Sequence, residues 1–78
     1  MSNLEKYVGA FEEIFEVDEE TAKELKYQDI NAWDSIGHMD LIATLEDSFD
    51  IEMNTDDIID FSSYKKGIEI LRKYGIEI

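Results

Sequence analysis

The chain has 78 residues, no cysteine, and a formal net charge of −13 from 20 acidic and 7 basic residues. This length closes one hydrophobic core, and the absence of thiols excludes both a disulfide framework and a thiolate metal site. So acidic a surface repels nucleic-acid backbones and anionic membranes, and it favours partner proteins with basic patches. With no secretory signal and no apolar run of membrane-spanning length, we expect a single cytoplasmic domain over residues 1–78.

The first predicted element is an amphipathic helix over residues 2–15. Its apolar residues recur at three- and four-residue spacing, and glutamates fill most outer positions. Ser2 or Asn3 can cap it. The apolar set is Leu4, Tyr7, Val8, Phe11, Ile14 and Phe15.

Helical spacing is lost over residues 16–33. Asp18, followed by two glutamates, predicts one or two helical turns that reach Leu25. Otherwise this is a long connection, and loops of this length in a compact domain are usually functional. We interpret Trp33 as a packing anchor for the next helix; contact with a bound group is the alternative.

A second long helix is predicted from Asp34, a good N-cap residue, through an apolar-periodic run that ends at Phe49. Ser35 lies where the loop becomes a helix. Backbone N–H groups there lack intrahelical partners, and the helix dipole would favour a phosphate ester on the Ser35 hydroxyl. The alternative is that Ser35 is itself only a cap.

The two sides of this helix differ in character. The predicted core side carries His38, Leu41, Ile42, Leu45 and Phe49. The opposite side places large apolar residues beside carboxylates, close to the serine. We interpret it as a docking face, with Ile36, Met39 and Ala43 as its apolar centre and Asp34, Asp40, Glu46 and Asp47 as its charged rim. Ten aspartates and glutamates and no lysine or arginine lie between Tyr27 and Tyr64, which favours electrostatic steering.

Two shorter helices complete the prediction. Asn54 or Thr55 caps a short one, and Ser62 or Ser63 begins the last, which Gly75 ends. The tail from Ile76 is expected to be extended or loose. The predicted core is Val8, Phe11, Phe15, Leu41, Ile42, Leu45, Phe49, Ile58, Phe61, Ile68 and Leu71.

Catalytic and metal sites are not expected. Ser35 and His38 lie within one helical turn and lack a Gly-x-Ser-x-Gly elbow, so we interpret His38 as a partly buried residue rather than a catalyst. The carboxylates do not form a calcium-binding loop.

The segment Asp34-Ser35-Ile36, together with the run Leu41-Ile42-Ala43-Thr44-Leu45-Glu46-Asp47-Ser48-Phe49-Asp50-Ile51, resembles the Asp-Ser-Leu segment and second helix of acyl carrier proteins. The order of elements and the acidic charge match as well, so the resemblance covers nearly the whole chain. It implies an all-α fold, a four-helix bundle with three longer helices, a short helix III and a long loop between helices I and II. Gly37 and His38 depart from the acidic or threonine-type residues common after the motif in fatty-acid-synthesis carriers.

The resemblance also implies a function. In that family the serine, here Ser35 flanked by Asp34, carries a 4′-phosphopantetheine arm from coenzyme A, and acyl groups ride on its thiol as thioesters. The implied partners are a phosphopantetheinyl transferase and acyl-loading and acyl-processing enzymes with basic docking patches, and the chain is a monomeric carrier rather than an enzyme. Leu45, Ile58 and Phe61 are the implied lining of an acyl groove. The implied pathway is fatty acid, lipid or polyketide-type biosynthesis; the alternatives are an aminoacyl or peptidyl carrier and an unmodified acidic adaptor.

Overall fold

The computed structural model describes residues 2–78, and within them the fold is all-α. The one strand-like pairing in this range is an isolated bridge between Lys26 and Ser63. No helix in the described range is long and apolar enough to cross a membrane. The elements are α1 (Asn3–Phe15), α2 (Glu19–Ala22), α3 (Ser35–Phe49), α4 (Thr55–Asp60) and α5 (Tyr64–Lys73).

Each of these helices begins at a polar side chain that accepts a hydrogen bond from the first turn, as the sequence predicts. In α1, Ser2 and Glu5 form a reciprocal capping box. The one-turn helix α2 lies in the long connection and begins after Asp18, whose carboxylate accepts from the Thr21 N–H at 2.8 Å. The N-caps are Ser2, Asp18, Asp34, Asn54 and Ser63.

Aromatic rings fill the centre of the core, where α1 meets the end of the long connection. Trp33 is fully buried, stacks on Phe15 with ring centroids 5.1 Å apart, and meets Phe11 edge-on at 5.5 Å. The interpretation of Trp33 as a packing anchor is therefore confirmed.

The predicted core is confirmed at eight of its eleven positions, but Phe49, Ile58 and Ile68 are only partly buried. Sequence reasoning did not place Tyr7 and Ile70 in this core list, although both are buried. The Tyr7 hydroxyl donates a 2.6 Å hydrogen bond to the Tyr64 carbonyl, which allows a phenol to be buried. Leu71 is buried as predicted, whereas Ile70 is buried more deeply than Ile68, which packs at the edge of the core.

The C-terminal tail, predicted to be extended or loose, has no regular secondary structure over residues 76–78 but is held against the domain. Gly75 takes a left-handed φ of 84°, and the Ile76 N–H then donates to the Leu71 carbonyl. The Asn3 side-chain amide donates to the Glu77 carbonyl at 3.0 Å, which ties the tail to the start of α1. Ile76 and Ile78 pack against the core.

Candidate functional site

At the start of α3, the residue that caps the helix and the candidate site residue are two different, adjacent residues. The Asp34 carboxylate accepts a hydrogen bond from the Gly37 N–H at 2.8 Å, and its carbonyl accepts from the His38 N–H. Ser35 is the first residue of the helix and is exposed. Among residues 2–78, no hydrogen bond involves its hydroxyl or the Ile36 N–H. The alternative that Ser35 is itself the cap is therefore wrong.

Gly37 allows the long connection to lie against this first turn. A Cβ atom at this position would stand 1.9 Å from the Ala32 carbonyl oxygen and 3.4 Å from the ring of Phe15. Only a residue without a side chain permits so close an approach. The departure at Gly37 thus has a structural reason, because the contact fixes the entry of the chain into α3 and with it Ser35.

His38 connects three parts of the molecule through hydrogen bonds. The Trp33 indole N–H donates to His38 Nδ1 at 2.9 Å, and His38 Nε2 lies 2.8 Å from the Ile58 carbonyl oxygen. An indole N–H is only a donor, so Nδ1 must accept and Nε2 must carry the proton. The ring is partly buried, as predicted. With both ring nitrogens engaged, His38 has no nitrogen free to act as a base on Ser35.

A groove of about 340 Å³ opens beside Ser35, between the first turns of α3 and the helix α4. We call it the Ser35 groove. Ile58 and Phe61 line it, as expected for an acyl groove. Leu45, the third residue expected to line such a groove, does not: it is fully buried in the core. The full lining is Tyr27, Ser35, His38, Met39, Ile58, Ile59, Phe61 and Ser62.

Most of the predicted docking face is open to solvent. Ile36 is 73% exposed and Met39 is 51% exposed. Glu46 is the exception, since it is partly buried and its carboxylate accepts a 2.8 Å hydrogen bond from the Met53 N–H, which holds the chain after α3. The other members, Asp34, Asp40, Ala43 and Asp47, are exposed.

Sequence reasoning missed Ile59, which is 71% exposed on α4 and shares the Ser35 groove with Met39. It extends the apolar surface around the serine onto a second helix. The signal was present, because two adjacent isoleucines in a short helix cannot both face the core.

Sequence reasoning also missed the cluster that ties α4 to the end of α5. Asp57 is only 4% exposed, and its two carboxylate oxygens accept hydrogen bonds from Lys73 Nζ and the Tyr74 hydroxyl, both at 2.5 Å. The lysine hydrogen bond, followed by the tyrosine one, lowers the pKa of Asp57 below its usual range. The Tyr74 oxygen also accepts from the Asn54 N–H, so the first turn of α4 is held at two points.

Comparison of the chain with protein-family models, curated proteins and solved structures found no significant match. Within residues 2–78, no three histidine or acidic side chains lie close enough together to hold a metal ion. A functional assignment therefore depends on the geometry around Ser35.

Proposed function

We propose that this chain is an acyl carrier protein with a 4′-phosphopantetheine arm on Ser35. The observation that carries the proposal is an exposed serine hydroxyl, free of capping duty, at the first residue of a fifteen-residue helix. A serine that served as the N-cap would itself accept the hydrogen bond from the Gly37 N–H, and here the Asp34 carboxylate accepts it.

The surroundings of Ser35 fit a phosphate diester and an extended arm. The first-turn N–H groups of α3 and the helix dipole favour negative charge beside the hydroxyl. The Ser35 groove begins at this residue and offers a mostly apolar surface along α4. Asp34 and Gly37 hold the serine in place through the cap and the close approach to the loop.

The Ser35 oxygen would be the nucleophile of the loading step. It attacks the coenzyme A phosphorus next to pantetheine, the bond from that phosphorus to the nucleotide half breaks, and the hydroxyl proton passes to a base of the transferase. His38 has no free nitrogen for that proton, so the base comes from the transferase. The arm supplies a thiol on which a thioester carbonyl is activated and tethered at high effective concentration.

The arrangement of helices supports a bundle of the acyl-carrier type. Three longer helices, α1, α3 and α5, are joined by a long connection and the short helix α4. The one-turn helix α2 is an addition inside that connection. The order of the helices and the position of Ser35 at the start of α3 agree with this fold.

The docking face supports transient contact with several enzymes. Ile36, Met39 and Ile59 offer apolar contact beside the serine, and Asp40 and Asp47 are exposed farther along α3. Such a surface fits basic patches on a transferase and on acyl-loading or acyl-processing enzymes, since opposite charges speed the encounter. We propose that the chain acts as a cytoplasmic, monomeric carrier in fatty acid, lipid or polyketide-type biosynthesis, and that catalysis is done by its partners.

Intact-mass measurement after co-expression with a phosphopantetheinyl transferase of broad specificity tests the proposal. We expect a phosphopantetheine-sized gain that maps to a Ser35 peptide. Ser35→Ala should abolish the gain with an unchanged circular dichroism spectrum and a stability within about 0.5 kcal/mol. Ser48→Ala, at an exposed serine near the other end of α3, is the matched control and should load normally.

An unmodified wild-type chain would refute the carrier assignment and favour the acidic adaptor, which would use Ile36 and Met39 for protein binding alone. If the chain is modified, the mass of the species loaded in its native cell separates an acyl from an aminoacyl or peptidyl cargo.

A further inference from the structure

We infer that His38 limits the cargo to short acyl groups by closing the passage from the Ser35 groove into the helical core. This inference rests on the proposed function and names the substrate class of the same site.

The closure is a hydrogen-bonded bridge from the loop through α3 to α4. Trp33 donates to His38 at 2.9 Å, and His38 donates to the Ile58 carbonyl oxygen at 2.8 Å. That carbonyl belongs to the last turn of α4, where carbonyl groups lack partners within the helix. The bridge therefore satisfies two groups at once, the indole N–H and a helix-end carbonyl.

The aromatic rings in contact with His38 belong to the packed core. Phe61 is 1% exposed, and Trp33 is fully buried. The His38 ring stacks on Trp33 and meets Phe61 edge-on, with ring centroids 6.2 and 6.0 Å apart. A long chain that entered between α3 and α4 would have to separate His38 from Ile58 and leave polar groups unpaired in an apolar setting, which is costly.

The capacity of the groove agrees with this closure. Its 340 Å³ hold about eleven groups the size of a water molecule, at ~30 Å³ each. The thiol end of the arm must share that space with the cargo. A butyryl group fits within it, whereas a dodecanoyl chain together with the arm exceeds it.

The test loads Ser35 with acyl-phosphopantetheine from acetyl-, butyryl-, octanoyl- and dodecanoyl-coenzyme A and measures thioester cleavage by hydroxylamine. In the wild-type chain we expect the butyryl thioester to be shielded and the dodecanoyl thioester to react as fast as a free pantetheine thioester. Amide NMR shifts should change along α4 with butyryl and show no further change with longer chains.

Two variants at His38 separate gating from general loosening. His38→Ala should lower the ratio of dodecanoyl to butyryl cleavage rates about tenfold, the factor that corresponds to 1.4 kcal/mol, because the passage opens. His38→Gln offers both an acceptor and a donor, so it should keep the wild-type ratio. A purely structural role of His38 would change both rates together and leave the ratio as it was.

A wild-type chain that shields dodecanoyl as well as butyryl, or an unchanged ratio in His38→Ala, would overturn the inference while the carrier function stands. Failure of Ser35 to accept any arm would overturn the proposed function and this inference with it. Loading itself distinguishes the two failures.

Discussion

Replacing Gly37 with alanine tests how the structure positions Ser35. Considered from the helix alone, Gly37→Ala should stabilise α3 by roughly 0.5–1 kcal/mol, because glycine loses more conformational freedom on folding. The tertiary structure predicts the opposite sign. The new Cβ would stand 1.9 Å from the Ala32 carbonyl oxygen, which is a backbone atom and cannot rotate away as a side chain can.

The expected change in the free energy of unfolding follows from these two opposing effects. Overpacking of this kind costs about 1–3 kcal/mol, which exceeds the helix-propensity gain. We expect a net loss of about 1–2 kcal/mol, and since 1 kcal/mol shifts the Tm of a domain of this size by about 4–8 °C, the loss is readily measured. The shift that relieves the contact also moves Ser35, so loading by the transferase should slow.

Gly9 provides the matched control within α1. A Cβ atom there meets nothing within 4 Å, so Gly9→Ala should raise the free energy of unfolding by roughly 0.5–1 kcal/mol. Urea and thermal unfolding followed by circular dichroism measure both variants. The reasoning fails if Gly37→Ala is as stable as the wild-type chain or more stable, or if it loads at the wild-type rate despite the expected destabilisation.

Three further predictions concern charge and backbone conformation. The Lys73 hydrogen bond lowers the pKa of Asp57. The stability that ionised Asp57 contributes is therefore present above its unfolded-state pKa and is lost as the pH falls through the lower folded-state value. In Asp57→Asn, the midpoint of urea unfolding should depend less on pH below about pH 4 than it does in the wild-type chain. Glu16 caps the C-terminus of α1 with a left-handed φ of 55°. Glu16→Gly should stabilise the protein by roughly 0.5–1 kcal/mol, because relief of backbone strain exceeds the entropy cost of glycine. Thermal unfolding measures the change, and a lower Tm would contradict the prediction. Asp47→Lys should slow loading at low salt, with a defect that fades as salt rises, whereas Glu20→Lys on α2 should slow loading less. Equal effects of the two variants would contradict a role for the docking face in steering the transferase.

The sequence by itself determined the helix starts, and with them the position of Ser35 at the first residue of α3, because helix starts depend on local interactions. A capping side chain reaches an N–H group three residues away, as Asp34 reaches Gly37, so the cap can be recognised from adjacent residues. Helical periodicity also placed Ile36 and Met39 on the exposed side of α3. For the same reason the predicted order of helices is confirmed.

Only the tertiary structure decided which contacts surround the site. The His38–Ile58 bridge spans 20 residues, the Lys73–Asp57 hydrogen bond spans 16, and the bond from Asn3 to the tail spans 74. Such pairings depend on how helices rotate and approach one another, and residue spacing within one helix does not encode that. The hydrogen bonds that hold His38 between Trp33 and Ile58, the absence of Leu45 from the groove lining and the need for glycine at position 37 therefore follow from packing between elements.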